Sequence, residues 1–315
     1  MLVSPIQCDQ GRKRQCGFAR RVRKVLARGC HPHLSSAAVS TLALFQHCAY
    51  VRSMQAQWTA LILAGQRPGS DPLAVHFGEQ WKALVPIAGA AMLTHVVRCL
   101  RKCPEIGRIV VLAQDPTKLT DALEAAGGVD HIAESGPSIS GSISKVLEGG
   151  MLPFPVLITT ADHPLLTPEM VAQFISDVGN ADLAVAMVEK DNLLNHFPNS
   201  KRTWLKFSDG HWSGANLFAL ARPNVRSALD LWAGAEKDRK IPWKLFRHFG
   251  VWLMLRALTR TIGLAQALQL AGNRLGLSAR LVPMHDPVAA IDVDKPADHA
   301  IAEEILAARS LASAD

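Results

Sequence analysis

Short, wholly apolar runs alternate along this chain with stretches in which apolar residues recur every three or four positions. Residues 59–64 form an apolar run suited to a strand buried on both faces, and Gly65 ends it abruptly. Residues 84–87 are apolar again. Gly89 precedes 92–101, a helical pattern stopped by Pro104. Residues 108–113 read as a second buried strand, and 116–126 as a helix closed by Gly127 and Gly128. A short amphipathic helix is expected over 143–148, with Ser138, Ser140 and Ser142 ahead of it as cap candidates. A third buried strand follows at 156–160, and then a helix with Thr167 as N-cap and Pro168 in its first turn. Residues 183–188 are strand-like, and 202–208 and 215–220 flank SDGHWSG as a hairpin would. Residues 235–275 read as a helical, cationic insertion. A last strand is expected to end at Asp292 or Asp294, with Pro296 opening the final helix. Strands alternating with helices predict an α/β fold: three layers, doubly wound, around a mostly parallel sheet.

Composition changes that picture only at the N-terminus. At 315 residues, 49% hydrophobic and 19% charged, the chain has ample core. Its net charge of +7 resembles a nucleic-acid signal until it is mapped. Residues 1–53 hold nine Lys/Arg and one acidic residue, and the rest of the chain sums to −1. No nucleic-acid partner is therefore expected of residues 54–315. Cys8, Cys16, Cys30 and Cys48 lie in the same extension at spacings that match no zinc pattern. Nothing suggests a disulfide framework, which fits a reducing cytoplasm. The basic run over 11–28 and the small, apolar run over 34–51 make a poor signal peptide, because the basic part is too long and His and Cys interrupt the apolar part. A disordered tail, or a start at Met54, is the expectation for 1–53.

The candidate chemistry lies in two loops. Gly65, Arg67, Gly69, Asp71, Gly78 and Lys82 follow the first strand. Glycines let backbone N–H groups approach an anion, and Arg67 and Lys82 can neutralise its charge. There is neither a G-x-x-x-x-G-K-[ST] nor a G-x-G-x-x-G after this strand, which excludes a P-loop and argues against a dinucleotide fold. In the second loop, Asp162 stands just past the third buried strand, ahead of Pro164. Hard cations such as Mg²⁺ take one or two carboxylates together with substrate phosphates.

These residues carry a resemblance. L-A-G-x-R…K-A-L-V-P-I-A-G…M-L over 63–93, A-D-H-P-L-L over 161–166 and I-D-V-D-K-P-A-D over 291–298 are similar to the signature of MobA-like NTP transferases, within the wider GT-A-fold nucleotidyltransferases. Gln66 stands where that signature usually has a second glycine, and Pro68-Gly69 follow Arg67 where it usually has Met-Gly. The resemblance implies a nucleotide held by Ala64, Gly65, Arg67, Gly69 and Lys82, with Ser140 and Ser142 near base and ribose. It implies a metal, Mg²⁺ or alternatively Mn²⁺, on Asp162 with Asp292 or Asp294. Asp292 is favoured, leaving the other aspartate to cap the last helix. It also points to the hairpin half of the sheet for a second substrate, where Asn216 and Trp212 are candidates, with Trp204 and His211 behind them.

The expected activity is nucleotidyl transfer. A phosphorylated small-molecule acceptor takes a nucleoside monophosphate from an NTP and pyrophosphate leaves, with Lys82, Asp162 and Arg67 as the catalytic set. Two alternatives stand beside it. A glycosyltransferase on the same fold would use the D-x-D of Asp292-Val293-Asp294, and a non-catalytic nucleotide-binding protein would bind without turnover. The helical segment around 241–260 is weighed as a membrane-surface contact against a solvated face on packed helices, and the latter is the expectation.

Overall fold

The computed structural model describes residues 57–66, 69–237 and 250–312. The extension over 1–53, its four cysteines, Met54, Arg67 and the 238–249 part of the helical insertion lie outside them.

In chain order the elements are β1 (Trp58–Leu63), α1 (Pro72–His76), β2 (Pro86–Ile87), β3 (Ala90–Ala91), α2 (Met92–Lys102), β4 (Ile106–Ala113), α3 (Thr120–Ala125), β5 (His131–Glu134), α4 (Ile139–Glu148), β6 (Val156–Thr160), α5 (Pro168–Val178), β7 (Leu183–Glu189), α6 (Lys190–His196), β8 (Leu205–Phe207), β9 (Gly210–Leu220), α7 (Arg226–Lys237), α8 (Val251–Leu258), α9 (Leu264–Arg274), β10 (Ala279–Pro283) and α10 (Pro296–Ala312). The main sheet runs in the order β10-β7-β9-β6-β1-β4-β5, with β8 paired to β9. The pairs β1/β4, β1/β6, β4/β5 and β7/β10 are parallel, and β9 runs antiparallel to β6 and β7. This is the mostly parallel, doubly wound α/β sheet that the alternation predicts.

Both faces are covered. Ala60, Ile62, Val111, Leu157 and Ala219 belong to one apolar cluster with Val96 and Leu100 of α2 and Phe174 of α5. Leu61, Val110, Leu112 and Ile158 point the other way, with Ile143 and Val146 of α4 and Leu229 of α7. Period-two alternation sends neighbouring residues to opposite faces. A strand buried on both is therefore mostly apolar, which is why β1, β4 and β6 read as largely apolar runs.

Three expectations need correction. The last aspartates are not on a strand: Pro287–Ala290 is a 3-10 turn, and 291–295 is irregular chain leading into α10. The edge strand is instead β10, upstream and paired with β7. The helix expected over 143–148 begins at Ile139. Ser138 alone caps it, accepting from the Gly141 amide at 3.0 Å, while Ser140 and Ser142 lie inside the helix. The helix expected over 116–126 is split, because Asp115 closes a 3-10 turn over Pro116–Leu119 before α3 starts. Cys99 and Cys103 are buried against α2's own turn, and the Cys103 thiol donates to the Cys99 carbonyl at 3.3 Å.

Candidate functional site

The chain runs from β1 outward to β4 and β5, then returns to the other side of β1 as β6. The carboxyl ends of β1 and β6 therefore flank the point where strand order reverses, the usual ligand crevice of an open α/β sheet. Gly65 and Gln66 leave β1 there, and Asp162 leaves β6.

A third segment is brought to the same edge by backbone. The Val293 amide donates to the Asp162 carbonyl at 2.9 Å, laying 291–294 across the end of β6. α10 anchors that segment. His299 Nε2 meets the Pro86 carbonyl at 2.7 Å, Glu303 accepts from the Ala88 amide at 2.8 Å, and Arg309 donates to the Leu165 carbonyl at 2.8 Å. The side chain of Asp298 closes the start of α10 by accepting from the amides of Asp294 and Lys295. Neither Asp292 nor Asp294 is thus needed as the cap, and both come close to Asp162 instead.

The carboxylate oxygens of Asp162, Asp292 and Asp294 lie within 4.8 Å of one another. Lys82 Nζ donates to Asp162 Oδ2 at 2.6 Å and to Asp294 Oδ1. Burial works to lower the Lys82 pKa, but the charge and hydrogen bonds of Asp162 and Asp294 outweigh it, and the net shift is upward. Lys82 is accordingly an ammonium at neutral pH. Thr160 Oγ1 donates to the other Asp162 oxygen at 2.5 Å and fixes the carboxylate plane. Asp292 faces differently: it pairs with Arg202 and accepts from Asn216 Nδ2 at 3.3 Å. Asn216 sits at φ +49°, a conformation that asparagine tolerates better than most side chains.

The glycine loop is held by amides. Gln66 Oε1 accepts from the Lys82 amide at 3.0 Å, and Gln66 Nε2 donates to the Gln80 carbonyl at 3.1 Å. Gln114, at the end of β4, exchanges hydrogen bonds with the Gln66 backbone at 3.0 and 2.8 Å. A Cβ on Gly65 would stand 2.9 Å from that Gln114 amide, so a larger residue would push the Gln114 side chain off the Gln66 backbone. Ala64 is buried beside it, and Gly69 adopts φ +104°.

Ser140 and Ser142 are buried. The Ser142 hydroxyl accepts from the Gly136 amide at 2.8 Å and donates to the Ser138 carbonyl at 2.6 Å, which shapes the loop entering α4. Trp212 is 8% exposed in the β8–β9 hairpin, with its indole N–H 3.4 Å from Asp209. Trp204 packs partly against the core.

Sequence reasoning passed over Arg202, Gln66, Gln114 and His163. Arg202 is nearly buried, and its Nε has no partner among the described residues. The His163 ring is fully buried and likewise unpartnered. Burial pushes its pKa down to about 4 against the pull of Asp162, and Arg202 and Arg309 add to the fall, so the ring is neutral at pH 7.

A family model described as a MobA-like NTP transferase domain matches residues 60–248. Among curated proteins there is no match. A hypothetical transferase from Thermus thermophilus is similar in structure at TM-score 0.66 and 28% identity, with 78% of this chain and 100% of that one covered. Two 4-diphosphocytidyl-2C-methyl-D-erythritol synthases share the fold at TM-score 0.50. The one from Anaerococcus prevotii is 12% identical, with 79% of this chain and 96% of that one covered. The other is 16% identical, with 80% and 100% covered.

Proposed function

The chain belongs to the MobA-like NTP transferase domain family, and on that premise we propose that it moves a nucleoside monophosphate from an NTP to a phosphorylated small-molecule acceptor, releasing pyrophosphate. An oxygen of the acceptor phosphate attacks the α-phosphorus. The bond from that phosphorus to its bridging oxygen breaks, and pyrophosphate leaves. Such a nucleophile is already an anion, so no general base is needed. Catalysis falls to alignment and charge stabilisation.

The observation that carries this reading is the convergence of Lys82, Asp162 and Asp294 at the switch point between β1 and β6. Lys82, with Arg67, would balance the triphosphate and the departing pyrophosphate. The donor set fits a hard divalent cation: three carboxylates within 4.8 Å, two of them already turned toward one cationic nitrogen. Asp162 and Asp294 would hold Mg²⁺ or Mn²⁺. Asp292 would contribute less directly, because its charge is engaged by Arg202. When bound, the metal supplies charge neutralisation at the α-phosphate. Gln66 and Gln114 keep the Gly65 amide region open for phosphate by taking up the loop's own polar groups. Ala64, Gly65 and Gly69 would let the nucleotide lie against backbone, and Asn216, bonded to Asp292, would face the acceptor.

The test is a pyrophosphate-release assay over four NTPs and a panel of phosphorylated acceptors. Release that depends on both substrates supports the proposal. Transfer from a nucleotide sugar without pyrophosphate would instead assign the chain to glycosyl transfer, and binding without turnover would make it a nucleotide-binding protein.

A further inference from the structure

We infer that the outer face of α8 is a docking surface for an anionic lipid bilayer. Val251, Trp252, Leu255 and Leu258 are 60%, 71%, 43% and 66% exposed. At 3.6 residues per turn these four positions span an arc of roughly 120°. Leu253, on the opposite side, is buried. The helix is therefore apolar on both its inward and its outward face. A helix apolar all round is ordinarily buried all round, so the outward face calls for an occupant.

Charge identifies that occupant. Between Gly250 and His285 the chain carries Arg256, Arg260, Arg274 and Arg280 and no Asp or Glu. Arg256 flanks Trp252 on the wheel, its guanidinium donating to the Thr261 carbonyl at 3.2 Å, and Arg260 is exposed just past the helix end. The Asp209 carboxylate is taken up by the Leu264 amide at the start of α9. An apolar stripe with a tryptophan and a rim of arginines matches a headgroup layer of negative charge over acyl chains. A second copy of the chain is a poorer occupant, because it would double the arginines along this face and bring no Asp or Glu from between Gly250 and His285 to meet them. Insertion across a bilayer is not implied. At eight residues α8 is about 12 Å long, and no described helix is long and apolar enough to span.

The experiment uses the full chain in flotation with two kinds of vesicle, phosphatidylcholine alone and phosphatidylcholine mixed with phosphatidylglycerol. The chain should float with the mixed vesicles and not with the neutral ones. The double variant Trp252→Ser, Leu258→Ser should lower the bound fraction about tenfold at an unchanged melting temperature. Arg256→Gln with Arg260→Gln should weaken binding as well, and gives a second reading that leaves the apolar face intact. Absence of binding to either vesicle overturns the proposal. So does binding that neither double variant changes, since the cations of residues 1–53 would then account for it. Loss of self-association in light scattering, with vesicle binding intact, would reassign the face to a contact between copies.

Discussion

Two side chains at the crevice can be told apart from their surroundings by substitution. Lys82 is held between Asp162 and Asp294, and removing its ammonium leaves two carboxylates with no cation between them. Lys82→Ala should lower turnover by about 10²-fold, the scale of losing one preorganised electrostatic contact in a transition state, while the melting temperature stays close to the parent's. Steady-state kinetics beside a melting curve checks this, and unchanged kinetics would return Lys82 to the surface charges. Asp162→Asn keeps an oxygen for Thr160 Oγ1 and leaves the backbone carbonyl that Val293 uses, but it removes the charge. If Asp162 only shapes the turn, Asn should serve nearly as well. If it holds a cation, the variant stays folded while turnover collapses, with partial recovery at high Mg²⁺ or Mn²⁺. Turnover measured against metal concentration separates the two. The residues that the sequence could not show are those whose partners are far away along the chain. Arg202 finds Asp292 across 90 positions, and Gln114 finds Gln66 across 48. Neither belongs to a recognisable motif, whereas Lys82 lies in the glycine-rich loop and Asp162 in A-D-H-P-L-L.

Elements were legible in proportion to how deeply both of their faces are buried. β1, β4 and β6 announce themselves as apolar runs because each has helices above and below. β5 and β10 are the sheet edges, four and five residues long with exposed positions among them, and they leave no such run. The segment carrying Asp292 and Asp294 has a strand-like composition because Ile291 and Val293 are buried, but its partner is a single carbonyl rather than a ladder. One helix makes a prediction whose sign is unusual. α9 packs on β10 so closely that a Cβ at Gly272 would stand 2.6 Å from Ala279 Cβ and 2.9 Å from the Leu277 carbonyl. Gly→Ala inside a helix ordinarily stabilises by about 1 kcal/mol. Here the clash should reverse the sign, and Gly272→Ala should destabilise by about 1–3 kcal/mol in denaturant unfolding.

At the scale of the molecule, chemistry and stability are placed at opposite ends of the sheet. The carboxyl ends of β1 and β6 carry the charged crevice, while Asp182 joins strands at the other end. Asp182 accepts from the Ser278 amide at 2.9 Å ahead of β10 and from Arg222 at 3.0 Å beyond β9, and its own carbonyl accepts from Ala221. The Ser278 amide foremost, with Asn224 and Arg222, holds its pKa below the ordinary aspartate value against the opposing effect of burial. A carboxylate depressed in the folded state contributes stability that is fully present above its unfolded pKa of about 3.9, and loses it as pH falls through the lower folded value. The melting temperature of Asp182→Ala should therefore lie below the parent's at pH 7. The gap should narrow as both proteins are taken below about pH 4, and a gap constant with pH would deny the carboxylate this role.

The order of strands also bears on how the chain is made. β1 lies between β4 and β6, so its second neighbour is not synthesised until Thr160, 97 residues after Leu63. At the pace of translation that interval is about 5–20 s, during which a largely buried strand has one edge open. Asp294 is later still, so the crevice is completed only once 291–294 and α10 have been made. A nascent chain held up before that point carries an open strand edge and no finished site, which makes it a substrate for holding chaperones rather than a premature enzyme.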